Sequence, residues 1–262
     1  MRMKVLCLAV VCLFAATLSA EEWKRDFTVG PHPSLRVQTN DARIEVHGRP
    51  GNTVSAHVVA EGYHIGPGEV SVTAQQNGNS VFVQVKVPDR HIHFNLGNRS
   101  LRIEIEVPQE IALDLSSSDG SIHISSVKGD ARLATSDGSV RVENFEGSLH
   151  GHTSDGSIEI GGRFEQLDLS TSDGHIRADI WKGSHMTGEW NLRSSDGSIN
   201  VGVPDDLGAY IDASTGDGHL DLQLPIEVSG RLDRHMVHGK LHGGGPVFRV
   251  HTSDGSITFR PI

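Results

Sequence analysis

Beyond its first 20 residues the chain has no cysteine; Cys7 and Cys12 are the only two. Disulfide staples are therefore excluded from the rest of the chain, and its stability has to come from a packed core. A second long apolar run is also missing. The first one, Val5 to Ala16, follows Arg2 and Lys4 and leads to Ser19-Ala20. A charged start, a short apolar stretch and a small-residue exit form the pattern of a secretory signal peptide. Cleavage is expected after Ala20, although Leu18 departs from the usual small residue. Val11, directly before Cys12, is not the small residue that lipid attachment prefers. No membrane span is expected after cleavage, so the protein is expected outside the cytoplasm, periplasmic or secreted.

Basic charge is scarce. Without Arg2 and Lys4, the 23 Lys and Arg fall to 21 against 33 Asp and Glu, a formal charge of −12. That balance excludes nucleic acid as a partner, which calls for a basic face. It also excludes simple adsorption to anionic lipid. All 16 His lie after residue 20, and protonating every one would carry the formal charge from −12 to +4. Histidine titrates near pH ~6.5, so solubility is expected to depend strongly on pH. A heptad or 3.6-residue period is lacking as well, which excludes a long helix.

What is present is one phrase written repeatedly. Residues 153–160 read Thr-Ser-Asp-Gly-Ser-Ile-Glu-Ile. The Asp of each copy is Asp119, Asp137, Asp155, Asp173, Asp196, Asp217 and Asp254, at separations of 18, 18, 18, 23, 21 and 37 residues. A period near 20 marks a repeat whose single unit cannot bury its apolar face alone. Six and four residues before the Asp the positions are mostly apolar, as at Leu113 and Leu115 or Trp190 and Leu192. Three and five residues after it they are apolar again, as at Ile158 and Ile160. Alternation on both sides of a turn gives two half-buried strands per repeat. Asp-Gly supplies the corner, with Gly expected to accept positive φ and Asp to bond its own backbone. The fold expected is all-β: a parallel β-solenoid (β-helix) of roughly 18–23-residue coils, each corner stacked on the next.

The organisation expected is a signal peptide over 1–20, a leader over 21–34 broken by Pro31 and Pro33, an N-terminal β region over 35–110, and regular repeats over 111–262. Leu35, Val37, Thr39, Asp41, Ile44 and Val46 fill the repeat's slots with Ala42 at the corner, an outlying first coil. Residues 47–110 leave the short period and read as longer strands that cap it. Gln76-Asn77-Gly78-Asn79 lies between two alternating runs, a hairpin signal. In the 37-residue gap, Val237 to Leu241 reads as a degenerate corner, and Arg260-Pro261 as protection of a terminal edge.

The repeated Thr-Ser-Asp-Gly-Ser-Ile phrase, together with Gly243-Gly244-Gly245-Pro246-Val247-Phe248-Arg249-Val250-His251-Thr252-Ser253-Asp254-Gly255-Ser256-Ile257, resembles the bacterial DUF4097 family, which carries the label "putative adhesin". The resemblance spans about residues 33–260. It implies a β-solenoid and a location at the envelope or outside the cell, and it carries over no catalytic residue.

Several constellations invite chemistry. Neighbouring coils lie about 4.8 Å apart, so two carboxylates repel by roughly 0.9 kcal/mol at water's dielectric. Asp119, Asp137, Asp155 and Asp173 could form a ladder for Ca²⁺, which takes oxygen ligands; the favoured reading is that each Asp only shapes its turn. The same carboxylates fit a glycosidase poorly, because that chemistry needs two in unlike environments. Thr135, Thr153 and Thr171 share a face with Leu133 and Leu169, so they should point inward and bond one another. His175 and His219 stand 44 residues apart and are not expected to meet. His150 with His152, and His91 with His93, are pairs on one strand face that could bind a transition metal. No catalytic residue, cofactor or metal is expected. The function expected is an exported, non-enzymatic structural or interaction (adhesin-like) module of the cell envelope, contacting a glycan or an envelope protein. The alternative is a carbohydrate-active β-helix enzyme, resembling polysaccharide lyases or hydrolases.

Overall fold

A computed structural model of the chain describes residues 20–88, 99–228 and 234–262. The described residues are all-β, as the alternation predicts, and contain 21 strands. β1 (Glu21–Thr28) lies within the expected leader. The first repeat supplies β2 (Ser34–Thr39) and β3 (Arg43–Arg49). Next come β4 (Thr53–Glu61), the hairpin of β5 (Ser71–Asn77) and β6 (Ser80–Lys86), and β7 (Ser100–Pro108). The hairpin turns at Gly78, whose φ is 58°. The regular repeats begin with β8 (Ala112–Ser116), β9 (Ile122–Ser125) and β10 (Lys128–Ala134). β11 (Val140–His152) and β12 (Ile158–Ser170) each serve one repeat as its second arm and the next as its first. β13 (Ile176–Ile180), β14 (Trp190–Ser194), β15 (Ile199–Val203), β16 (Ala209–Thr215) and β17 (Leu220–Leu222) continue the series. β18 (Ile226–Val228), β19 (Met236–Leu241), β20 (Val247–Thr252) and β21 (Ile257–Pro261) complete it.

Arms that precede the corners pair in parallel in the order β6–β2–β8–β10–β11–β12–β14–β20–β16. Arms that follow them pair in the order β7–β3–β9–β11–β12–β13–β15–β21–β17. Antiparallel strands flank both rows: β5 on β6, β4 on β7, β1 on β4, and β19 on β16. Register aligns like residues in columns, so Ile158 lies between Val140 and Ile176, with Glu159 between Arg141 and Arg177. Ile158 is buried and Glu159 exposed, as alternation requires. Between the two rows runs the core, aliphatic through most of its length. Toward the C-terminal end it turns aromatic, where Phe248 meets Trp190 and Phe259 edge-on at 5.5 and 6.0 Å. Such contacts add to what burial alone contributes.

Stacking does not follow sequence order throughout. The repeat of Asp254 sits between those of Asp196 and Asp217. Two expectations are corrected by this. Residues 236–241 form no corner; they make β19, antiparallel to β16. Arg260 and Pro261 do not end a terminal edge strand, because β21 lies inside its row, paired on both sides over Ile257–Phe259; the two residues themselves pair with β15 alone. β19 lies one place beyond β16, and from there the chain crosses back over β16, so that the final repeat enters the gap beside β14.

Candidate interaction surfaces

The corners stack through their backbones. Asp155 N donates to Ser136 O at 2.9 Å and Asp173 N to Ser154 O at 3.0 Å, and the pattern continues through Asp196, Asp254 and Asp217. Beneath each corner the Thr or Ser two places before the Asp is buried. Thr153 Oγ1 donates to Gly138 O of the neighbouring repeat at 3.0 Å and accepts from Gly156 N of its own at 3.2 Å. These hydroxyls point inward as expected but do not bond one another. Each instead satisfies a buried carbonyl and a buried N–H, groups that are costly to leave unpaired.

The corner glycines have a different role from the one expected. None of Gly120, Gly138, Gly156, Gly174, Gly197, Gly218 or Gly255 has positive φ. A Cβ on Gly156 would lie 2.0 Å from Gly138 O, and one on Gly138 would lie 2.3 Å from Gly120 O. Glycine is needed because a neighbouring backbone occupies that space. At the first corner Ala42 takes the place of the glycine, and its carbonyl is the one that a Cβ on Gly120 would strike.

The carboxylates of Asp119, Asp137, Asp155 and Asp173 are exposed, as are those of Asp196, Asp217 and Asp254. Their side chains have no hydrogen bond or ion pair among the described residues, so the local bond expected of Asp is made by the buried hydroxyl instead. Also among the described residues, no group of three or more His, Cys, Asp or Glu is placed to hold a metal ion. Two places after the corner Asp, a second ladder forms. Ser157 Oγ accepts from His175 N at 3.2 Å, and His175 Nδ1 accepts from Ser198 N at 2.9 Å. His219 Nδ1 meets Ser256 Oγ at 2.9 Å. Ser198 and Ser256 thus separate His175 from His219. His152 Nδ1 is bonded to Ser170 Oγ at 2.9 Å. His91 and His93 lie outside the described residues.

A concave surface lies elsewhere. The β5–β6 hairpin and the outer face of β2, β8 and β10 enclose an open groove of about 720 Å³. Register aligns Gln75, Phe82, Arg36, Asp114 and Arg132 across it. Arg36 Nε pairs with Asp114 Oδ2 at 3.2 Å, and Gln84 Nε2 donates to Gln38 Oε1 at 3.4 Å. A shallower hollow of about 330 Å³ shares Asp114 and Arg132 and continues to His150, His152 and Asp168. The sequence reading did not single out this groove. Its signal was Phe82, an aromatic residue at an outward position between inward Val81 and Val83.

A family model described as Toastrack, DUF4097, matches residues 35–260. The chain belongs to this family. No curated protein matches it. Among solved structures, the Toastrack chain is similar to a "putative cell adhesion protein" from Clostridium sporogenes, at 11% identity and a TM-score of 0.43, covering 92% of this chain and 100% of that one. A "putative adhesin" from Bacteroides fragilis shares 13% identity at a TM-score of 0.39, covering 94% and 99%. A "putative lipid binding protein" from Parabacteroides distasonis shares 14% at 0.38, covering 91% and 96%. No helix among the described residues of this Toastrack chain is long and apolar enough to cross a membrane.

Proposed function

We propose that this Toastrack protein is an exported, non-enzymatic interaction module of the cell envelope, contacting a glycan or an envelope protein. The observation that carries the reading is the sameness of the corner carboxylates. Glycoside hydrolysis needs an acid and a base, or a nucleophile, held in unlike environments. Asp119, Asp137, Asp155 and Asp173 are alike in exposure and unbonded. The outer faces instead offer extended rows of amides, hydroxyls and paired charges, which suit recognition. Export is supported by the start of β1 at Glu21, so cleavage after Ala20 would remove no residue of that strand.

Two measurements test the proposal. N-terminal sequencing of the protein recovered outside the cytoplasm should begin within a few residues of Glu21. A glycan array and an envelope-protein overlay, both probed with residues 21–262, should show binding without release of shortened saccharide. Retention of residues 1–20 on the exported protein, or cleavage of an arrayed glycan, would overturn the reading.

A further inference from the structure

The described phenylalanines obey one rule with one departure. Phe27, Phe145, Phe164, Phe248 and Phe259 are buried in the core. Phe82 stands on the outer side of β6, while Val81, Val83 and Val85 of the same strand point in and are buried. Its half-buried ring is the one apolar side chain in an outward row that is otherwise polar from β6 to β12. Its neighbours in register are Gln75 on one side and Arg36 on the other.

The groups around that ring are planar and balanced in charge. Arg36 and Arg132 face Asp114 and Asp130 in the same groove. Among the described residues, the side chains of Arg132, Asp130 and Gln75 have no hydrogen bond or ion pair. A groove with no net charge, in a chain of net charge −10, does not select an ion. It offers one apolar platform beside fixed amide, guanidinium and carboxylate edges. A pyranose presents the complement: a C–H face on one side, and around the rim vicinal hydroxyls that both donate and accept. The row does not end at the groove. It continues through Arg132 to His150 and Asp168 on the next strands. Strands spaced about 4.8 Å apart make the row from β6 to β12 about 24 Å long, room for a chain of sugars rather than one.

From these observations we infer that the groove under the β5–β6 hairpin binds a neutral saccharide chain, with Phe82 stacking on a sugar ring and Gln75, Arg36, Asp114 and Arg132 bonding its hydroxyls. The inference rests on the interaction-module reading and assigns that module its site.

The test is titration calorimetry of residues 21–262 with three neutral hexasaccharides (cellohexaose, chitohexaose and laminarihexaose) and with oligogalacturonate as the charged counterpart. At least one neutral chain should bind, with little loss of affinity in high salt, since no net charge is screened. Phe82→Ala should weaken it by about tenfold or more, as loss of a central aromatic anchor does. Arg132→Ala and Gln75→Ala, both on exposed side chains, should weaken it without moving the melting temperature, which keeps the test meaningful if Phe82→Ala unfolds. Tyr210→Ala, at the far end of the stack, should bind as the parent does. Absence of binding to all three neutral chains, preference for oligogalacturonate, or binding untouched by Arg132→Ala and Gln75→Ala would overturn the inference. None of those results touches export or the lack of catalysis; release of shortened saccharide would instead overturn the interaction-module reading itself.

Discussion

Gly156 and Asp155 are adjacent in one corner and meet opposite surroundings. The space a Cβ would take on Gly156 is held by Gly138 O, 2.0 Å away, whereas the Asp155 carboxylate stands in solvent without a partner. Gly156→Ala should therefore force two stacked backbones apart and cost about 3 kcal/mol, at the upper end for overpacking. Asp155→Asn should change stability by no more than about 0.5 kcal/mol, as surface substitutions do, with any gain coming from lost repulsion toward Asp137 and Asp173. Denaturant midpoints check both, and a midpoint for Gly156→Ala close to that of the parent would disprove the close-approach account. Thr153→Ala should leave Gly156 N and Gly138 O buried and unpaired, a loss of about 1–3 kcal/mol, while Thr153→Ser should recover most of it, since Ser117 and Ser194 already fill that place. The sequence made the inward parity of these hydroxyls legible through their shared face with Leu133 and Leu169. It did not reveal what they bond. The partner belongs to a neighbouring repeat, and alternation within one repeat carries no information about the carbonyl beneath it.

At the scale of the element, β1 shows where pattern reading weakens and where acidity enters. Only Phe27 of its eight residues is fully buried, so its alternation is faint and the segment reads as a leader. The β5–β6 hairpin, by contrast, was readable because two alternating runs meet at Asn77-Gly78. One end of β1 is held by a clasp. Glu21 Oε2 accepts from Ile65 N at 2.8 Å and Glu21 Oε1 meets His64 Nδ1 at 2.5 Å. The Ile65 N–H, and then His64, hold the Glu21 carboxyl below its ordinary 4.5. The hydrogen bond to Glu21, and then its charge, raise His64 above its ordinary 6.5. Stabilisation from His64 is complete below pH 6.5 and is lost as pH rises through its raised value. Stabilisation from Glu21 is complete above pH 4.5 and is lost as pH falls through its lowered value. The clasp is therefore complete between pH 4.5 and 6.5. Hydrogen exchange at the Glu21–Trp23 end, corrected for intrinsic rate, should be slowest in that window and quicken above it. His64→Gln should remove the dependence on the alkaline side. Equal protection within the window and well above it would show that the clasp contributes nothing.

For the whole molecule, the order of the stack is the property the repeats conceal. Every repeat presents the same columns, so Ile257 fits against Ile199 as well as Leu220 would, and sequence alternation cannot say which neighbour wins. The decision lies after β19, which pairs antiparallel to the outer side of β16; the chain then crosses back over β16 to a place bounded by β14 and β16. The final repeat then lies between two sets of strands made before it, with Phe248 against Trp190 on one side and Ile211 on the other. A chain ending at Gly245 should leave both of those faces uncovered, since each repeat depends on its neighbours for burial. Hydrogen exchange should then show lost protection in β14 to β17, while β8 to β10, three or more places along the row from β14, keep theirs. The separate peptide of residues 246–262, added in trans, should restore that protection, because the gap supplies backbone partners on both sides, as in donor-strand complementation. Direct closure of the Asp217 repeat onto the Asp196 repeat is the competing outcome. It would leave β16 and β17 protected without the peptide and the peptide without effect, and it would mean that the inserted repeat is an addition to the stack rather than the piece that completes it.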